Sequence, residues 1–474
     1  MVPSRRPFLL VNSNVSRPPV SPVGLEYTGE ALRQAGFRVE VLDLAWEDDW
    51  QQALEHMPPD PLAVGLSLRN TDDCSFATRR SFLPWIAQLV AEIRRRTPAP
   101  VVLGGVGFSV DPAGSIRATG ADLGIEGDGE GAAVLLARTL EEGQDPGHIP
   151  GLVYQRDGAV IRNERRPPDP ASFPAFRRGL FDNARYEREG AMVGVETKRG
   201  CPGKCVYCAD PVAKGRTTRP RPPARVAQEI ENLVLQGVCW LHLADSEFNL
   251  PLAHATEVCQ ALLHHHLGGK VGWYCYCSPL PWDRGLARLM KQSGCAGVNF
   301  GVDSLDDGQL KRLGRPHRKK DVQELVRALK GEGMNFMFDL LLGAPGETES
   351  TVKSTLEQAR KLEVPLVGVA VGVRVYPGTP LGARATQLTE GLRPARPGPG
   401  EPLYYISPVL GPQPQELVRA LAGDDPRFLL LAAPDQPGSY NYAGDQLLSQ
   451  AIARGERGAY WDILRRVRGI PPTG

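Results

Sequence analysis

The sequence predicts an α/β protein: a doubly wound parallel sheet, then a partial (β/α)6 barrel, then a small, mainly helical C-terminal cap. Three observations carry this. Short apolar runs alternate with amphipathic helical stretches in two separate regions. Proline-rich segments, at 167–174 and 391–402, interrupt the alternation. A chain of 474 residues also exceeds what a single core organises. The expected boundaries are 1–145 for the first domain, 146–188 for a linker with a hairpin, 189–385 for the barrel and 386–474 for the cap.

In the first region the strand candidates are Phe8–Val11, Val39–Leu42, Leu62–Leu66, Val101–Leu103 and Asp122–Ile125. Helices are expected near Leu25–Ala35, closed by Gly36, and near Leu83–Arg95. Strands alternating with helices imply parallel pairing, with a ligand crevice beyond the carboxyl ends of the strands. Gly151–Arg162 reads as a hairpin with QRDG at its tip. The second region supplies Met192–Glu196, Trp240–Ala244, Gly272–Cys277, Gly297–Val302, Met334–Leu342 and Val367–Val375 as strands. Helical stretches Arg225–Gln236, Ala255–His264, Lys320–Glu332 and Glu349–Leu362 lie between them. Barrel chemistry belongs at the carboxyl ends of such strands.

Composition narrows the function. A net charge of +1 gives no electrostatic footprint for nucleic acid. No stretch approaches the roughly 20 apolar residues needed to span a bilayer. The run Phe8–Val11 is too short for a signal-peptide core, so a cytoplasmic protein is expected. Nine cysteines, an odd number in a long chain, argue against a secreted disulfide framework and suit thiolate metal ligands.

The sharpest motif is RGCPGKCVYCADP, with Cys201, Cys205 and Cys208 spaced C-x3-C-x2-C just after a strand. Three thiolates on one tight loop hold three irons of a cubane and leave the fourth open to a small molecule. A zinc knuckle would need a second pair of ligands, and no such pair lies nearby in the sequence.

At this motif the sequence resembles the radical S-adenosylmethionine (SAM) superfamily, in which the open iron binds the amino and carboxylate groups of SAM. LADSEFN, GVDSLDD and LLGAPGET fall at strand ends that match the family's SAM-binding positions. The resemblance implies that Asp245 and Glu247 meet the SAM ammonium, although LADSEFN is not the GGE of simpler members. An N-cap role for Asp245 or Ser246 stays open. It also implies that Ser304 and Glu347 reach the carboxylate or ribose, with Gly343 and Gly346 allowing close backbone approach. Tyr207, between two ligands, would flank the cluster and cover the adenine; plain aromatic packing is the alternative.

Ahead of this region, SLRNTDD, GGVGFS and IEGDGE close successive strands. Together they resemble the Rossmann-like cobalamin-binding domain of B12-dependent radical SAM enzymes, and SLRNTDD with the C-terminal RGAYWDIL resembles the neighbourhood of the tryptophan C-methyltransferases within them. The implied corrin contacts are Ser67, Arg69, Asn70, Gly104, Gly105, Gly107, Phe108, Glu126 and Gly127. The expected D-x-H-x-x-G is absent: VNSNVSRPP stands there, without a histidine. Either cobalamin binds with no protein ligand on its lower face, or the domain has lost it; binding is the expectation. Arg69 would then lie under the corrin. A guanidinium has no lone pair to give, so it would discourage a further cobalt ligand and favour Co(I). An ion pair of Arg69 with Asp72 or Asp73 stays open.

The implied function is cobalamin-dependent methyl transfer from SAM to a carbon of a small-molecule or peptide-derived substrate. A flavodoxin or ferredoxin would donate electrons. A radical rearrangement or ring contraction is the second reading, and a non-catalytic corrinoid or iron–sulfur carrier the third. Cys275 and Cys277 share one strand face and read as core; His264, His265 and His266 as exposed; His317 as surface. The aromatics Tyr404, Tyr405, Tyr440, Tyr442, Tyr460 and Trp461 read as core of the cap.

Overall fold

The computed structural model describes residues 6–173, 176–388, 390–398, 400–430 and 442–472. The first sheet holds β1 (Phe8–Asn12), β2 (Val39–Asp43), β3 (Ala63–Ser67), β4 (Val101–Gly104) and β5 (Leu123–Ile125), all parallel. Strands such as FLLVN and AVGLS are apolar on both faces because helices cover both. Helices Val23–Gln34 and Gly129–Glu141 pack on one face, and Leu83–Arg96 with Pro112–Thr119 on the other. The strand order β2-β1-β3-β4-β5 reverses between β1 and β3. Connections leave that point on opposite faces, which opens the crevice there.

The hairpin assigned from sequence to a linker is part of this sheet. β6 (Leu152–Arg156) and β7 (Ala159–Arg162) extend its edge, β6 running antiparallel to β5. Its buried Leu152 and Val153 finish the two cores, so hairpin and sheet form one body.

The barrel begins with β8 (Val193–Val195). A short ribbon follows, β9 (Lys198–Arg199) with β10 (Arg219–Pro220). Then come β11 (Trp240–Leu243), β12 (Gly272–Cys277), β13 (Cys295–Asp303), β14 (Phe336–Leu342) and β15 (Leu366–Val371). These and β8 are the six parallel strands expected. A three-stranded patch, β16 (Val373–Arg374), β17 (Leu392–Arg393) and β18 (Tyr404–Tyr405), orders the proline-rich stretch. A seventh parallel strand, β19 (Phe428–Leu430), pairs with β15. It is only three residues long, too short to show a period in sequence.

Alternation along the strands decides what faces inward. Leu241 and Leu243, Cys275 and Cys277, Val298 and Phe300, and Phe336 and Phe338 face the helices and form the largest core. Their neighbours Trp240 and His242, Tyr274 and Tyr276, Gly297 and Asn299, and Met337 and Asp339 therefore face the lumen. The described C-terminal helices Gln446–Ala453 and Tyr460–Val467 close the lumen from the amino ends of the strands, as a floor rather than a lid. Trp461 sits edge-on to Tyr274 at 5.8 Å, and a Cβ at Gly297 would come within 2.9 Å of its ring. Tyr274 donates to Asp462 at 2.9 Å.

Buried charge joins the two domains. Arg178, 0% exposed, pairs with Glu26 of the first domain at 2.5 Å and with Glu229 of the barrel at 2.7 Å. Arg221 meets the same Glu229 at 2.6 Å, and Arg199 pairs with Glu130 at 2.5 Å. Paired in this way, the charges fix one arrangement of the sheets, with the crevice of the first facing the mouth of the second.

Candidate active site

The cysteine loop leaves β9, and close glycines seat it. Gly200 has φ +84°, and a Cβ there would strike the carbonyl of Thr217 at 2.1 Å. Val206 donates to the Leu313 carbonyl at 3.0 Å, and Gly314, beside it, admits the Lys204 carbonyl. Burial pushes the thiols of Cys201, Cys205 and Cys208 up, so the metal-free chain carries them protonated and metal binding would release protons. Among the described residues no group of three His, Cys, Asp or Glu side chains is gathered around a single point. A cubane asks each thiolate for a different iron.

Four side chains border the thiols. Arg315 donates to Cys205 Sγ at 3.1 Å and lies 3.3 Å from Asp303. Tyr207 donates to Asp303 at 2.6 Å, so it is anchored rather than merely packed. Asp303 itself has φ +62°, a strained backbone for a residue with a Cβ. Glu247 lies 4.0 Å from Arg315, and its Oε2 is buried with no hydrogen-bond partner among the described atoms. Burial, reinforced by Asp303 and Asp210 and opposed by Arg315, pushes its carboxyl up to about 7. A buried carboxylate oxygen lacking a donor beside three thiols suits a cation, as the SAM ammonium is.

Other expected contacts sit elsewhere. Asp245 is neither a free carboxylate nor a cap: Lys198 Nζ at 2.7 Å and the Thr197 amide at 2.8 Å occupy it. Ser304 is buried against Thr355 at 3.1 Å. Glu347 folds back on its own turn, accepting from the Gly343 amide at 2.7 Å, with its second oxygen unpartnered among the described atoms. His317, expected at the surface, is buried and its Nε2 lies 3.1 Å from the Val302 carbonyl. It sits in RPHR beside Arg315, whose role near the thiols the sequence reading missed. Cys275 and Cys277 are core, as expected. So are Tyr404, Tyr405 and Trp461; Tyr442 and Tyr460 are half-buried, and Tyr440 lies outside the described residues. Of the histidine run, His264 and His266 are exposed while His265 pairs with Glu231 at 3.0 Å.

Across the mouth lie the loops of the first sheet. Gly105 has φ +101°, and a Cβ there would lie 2.7 Å from the Leu68 carbonyl. Nothing crowds Gly104, which leaves its backbone open to a ligand. Gly107 presses on the Asn70 backbone and serves loop packing. Phe108 is fully buried under Gly124, and Glu126 is held by Arg162 at 2.9 Å, so neither faces the crevice. Gly127, at φ +89°, turns beside Arg165. The Ser67 carbonyl accepts from Ser13 Oγ at 2.5 Å, which ties two loops at the crevice together.

Arg69 is exposed and makes no ion pair among the described residues. Asp72 is taken by Arg374 at 2.8 Å, and Asp73 accepts from the Arg80 amide at 3.2 Å. The Arg69 charge is felt by His242, Tyr276 and Tyr460, so it faces the lumen. The residues present fit both groups: three thiols on one loop for a cluster, and a small-residue crevice with a cation for a corrin.

Sequence profiles match in the same two places: the B12 binding domain over residues 10–137 and the Radical SAM superfamily over 195–359. The tryptophan 2-C-methyltransferase of Streptomyces laurentii is 33% identical over 452 residues, covering 82% of this chain and 76% of that one. The chain belongs to the cobalamin-dependent radical SAM methyltransferases. The structure of the radical SAM methyltransferase TsrM from Kitasatospora setae, with cobalamin and a [4Fe–4S] cluster bound, superimposes with a TM-score of 0.90 at 30% identity, covering 98% of both chains. A second structure of that protein holds tryptophan and a SAM analogue. The cobalamin-dependent enzyme OxsB, at 16% identity and a TM-score of 0.70, shares the fold. This methyltransferase therefore uses a [4Fe–4S] cluster, SAM and cobalamin to move a methyl group to a carbon. Among the described residues no helix is long and apolar enough to cross a membrane.

Proposed function

We propose that the methyl acceptor is the indole ring of tryptophan or a close relative of it. The lumen carries this reading. Its wall includes the exposed ring of Tyr276, edge-on to His242, Arg69 faces it from above, and the buried Tyr274, Met337 and Trp461 close it beneath. Flat aromatic walls suit a flat aromatic guest. The similarity to enzymes described with tryptophan supports it.

In this reading Cys201, Cys205 and Cys208 hold the cluster, and Glu247 meets the amino group of SAM. Tyr207, tied to Asp303, braces the loop. Arg69 would lie on the corrin side of the loop and, having no lone pair, would offer cobalt no ligand. When bound, cobalamin supplies the methyl relay between SAM and the acceptor. The apolar floor and the buried interdomain charges exclude water from that relay. Reducing equivalents come from a flavodoxin or ferredoxin, and a cytoplasmic setting suits the thiolates.

Incubation of the holoenzyme with methyl-labelled SAM and L-tryptophan tests the proposal. The expected product is a C-methylated tryptophan carrying the label. Turnover of SAM with the label absent from every tryptophan-derived product would overturn it and favour a radical rearrangement.

A further inference from the structure

Within the lumen His242 is a polar side chain with no assigned work. His242 projects inward from β11, flanked by Leu241 and Leu243, which face the helices. Its ring meets that of Tyr276 edge-on at 5.3 Å. Neither ring nitrogen is hydrogen-bonded to a described residue. Among the neighbouring inner-face groups, Asn299 faces the Tyr276 hydroxyl and its Oδ1, also without a partner among the described atoms, is buried out of reach of a ligand, and the charge of Asp339 is felt by Tyr276 and Tyr442. Arg69 and Lys214 add positive charge around the imidazole, with Asp245 behind it.

We infer that His242 accepts the ring N–H of the acceptor indole and so sets which ring carbon faces the corrin crevice. This rests on the indole reading above. Burial, with Arg69 and Lys214 assisting against Asp245, holds the imidazole down at about 4. The ring is therefore neutral at physiological pH, with one nitrogen free to accept and the other to donate. A neutral acceptor suits a neutral N–H donor. An imidazolium would offer two donors and repel it. The edge-on Tyr276 ring fixes the imidazole plane and keeps an exposed aromatic face beside it for an indole. With no partner among the described residues, the acceptor nitrogen exchanges water for the substrate N–H, and a guest without that N–H leaves it unpaired, which turns one hydrogen bond into discrimination.

Dissociation constants of L-tryptophan and its sulfur analogue, β-(3-benzothienyl)-L-alanine, on the cluster- and cobalamin-loaded protein test this. The analogue keeps the shape and lacks the N–H. The wild type is expected to prefer tryptophan by about tenfold or more, the scale of one buried unpaired hydrogen-bonding group. His242→Phe should bring that ratio close to one, and His242→Gln, which keeps an acceptor, should restore part of it. Each ratio is internal to one protein, so partial misfolding of a variant cancels. An unchanged ratio in His242→Phe would overturn the hydrogen bond while leaving the indole reading standing. A wild type that binds neither compound would overturn both.

Discussion

Arg374, at the end of the barrel, donates to one oxygen of Asp72, from Nε at 3.0 Å and Nη2 at 2.8 Å. Asp72 lies three residues beyond Arg69 on the loop that follows β3. The pair therefore clamps the corrin-side loop to the barrel and takes away the acid that Arg69 would otherwise neutralise. Phe76 against Tyr404, with ring centres 5.7 Å apart, reinforces the clamp.

Arg374→Met should strand a buried carboxylate and cost about 3 kcal/mol or more. Denaturant unfolding reads the loss. Cobalamin retained after gel filtration should fall in the same variant, because its loop is no longer fixed. Asp72→Asn added to Arg374→Met should recover part of the stability.

Arg69 behaves oppositely. It is exposed and unpaired among the described residues, so Arg69→Ala should leave stability within about 0.5 kcal/mol of wild type. Its optical cobalt bands or its cobalt reduction potential should move, because a lower ligand is no longer discouraged. An unchanged spectrum and potential in a stable Arg69→Ala protein would remove Arg69 from beneath the corrin.

Arg178 is the interdomain test. Replacing it with Met leaves Glu26 buried without a cation while Glu229 keeps Arg221, and the cost is about 3 kcal/mol or more. Combining Arg178→Met with Glu26→Gln should recover part of this loss in urea unfolding, because Glu229 keeps Arg221 as its partner. A single change that costs nothing would show that water reaches the interface.

Glu347 gives a pH signature. Burial, opposed by the Gly343 and Ala344 amides, pushes its carboxyl up to about 7, above an unfolded value near 4.5. A raised folded value means stability that is fully present below the unfolded value and is lost as pH rises through the folded one. Glu347→Gln, which needs no proton, should gain up to about 3 kcal/mol relative to wild type between pH 5 and pH 8. Unfolding midpoints at the two pH values measure it.

The strands and their order of succession were legible because parallel strands buried on both faces write continuous apolar runs, and helices write a different period. The cysteine loop was legible because its ligands are local. The hairpin's attachment to β5 was not, since edge pairing depends on contacts far apart in sequence. Asp245 misled because LADSEFN has a polar surface in sequence, while Lys198, 47 residues earlier, consumes its charge in space. Phe108 and Glu126 misled similarly: a motif names a loop, and only packing says which side chains of that loop point at the ligand. Arg315 lacked any local signal, since it reaches Cys205 across 110 residues. His242 and Tyr276 could have been found, because alternation in WLHL and WYCYC already sets them opposite the core-facing leucines and cysteines.

The most direct test of the central claim, that one chain holds a cluster and a corrin facing each other, is anaerobic purification with iron, sulfide, cobalamin and optical analysis of one sample. About four irons and one cobalamin per chain are predicted, with cobalt bands free of a lower nitrogen ligand. Four irons with no cobalamin, even after reconstitution, would contradict the account.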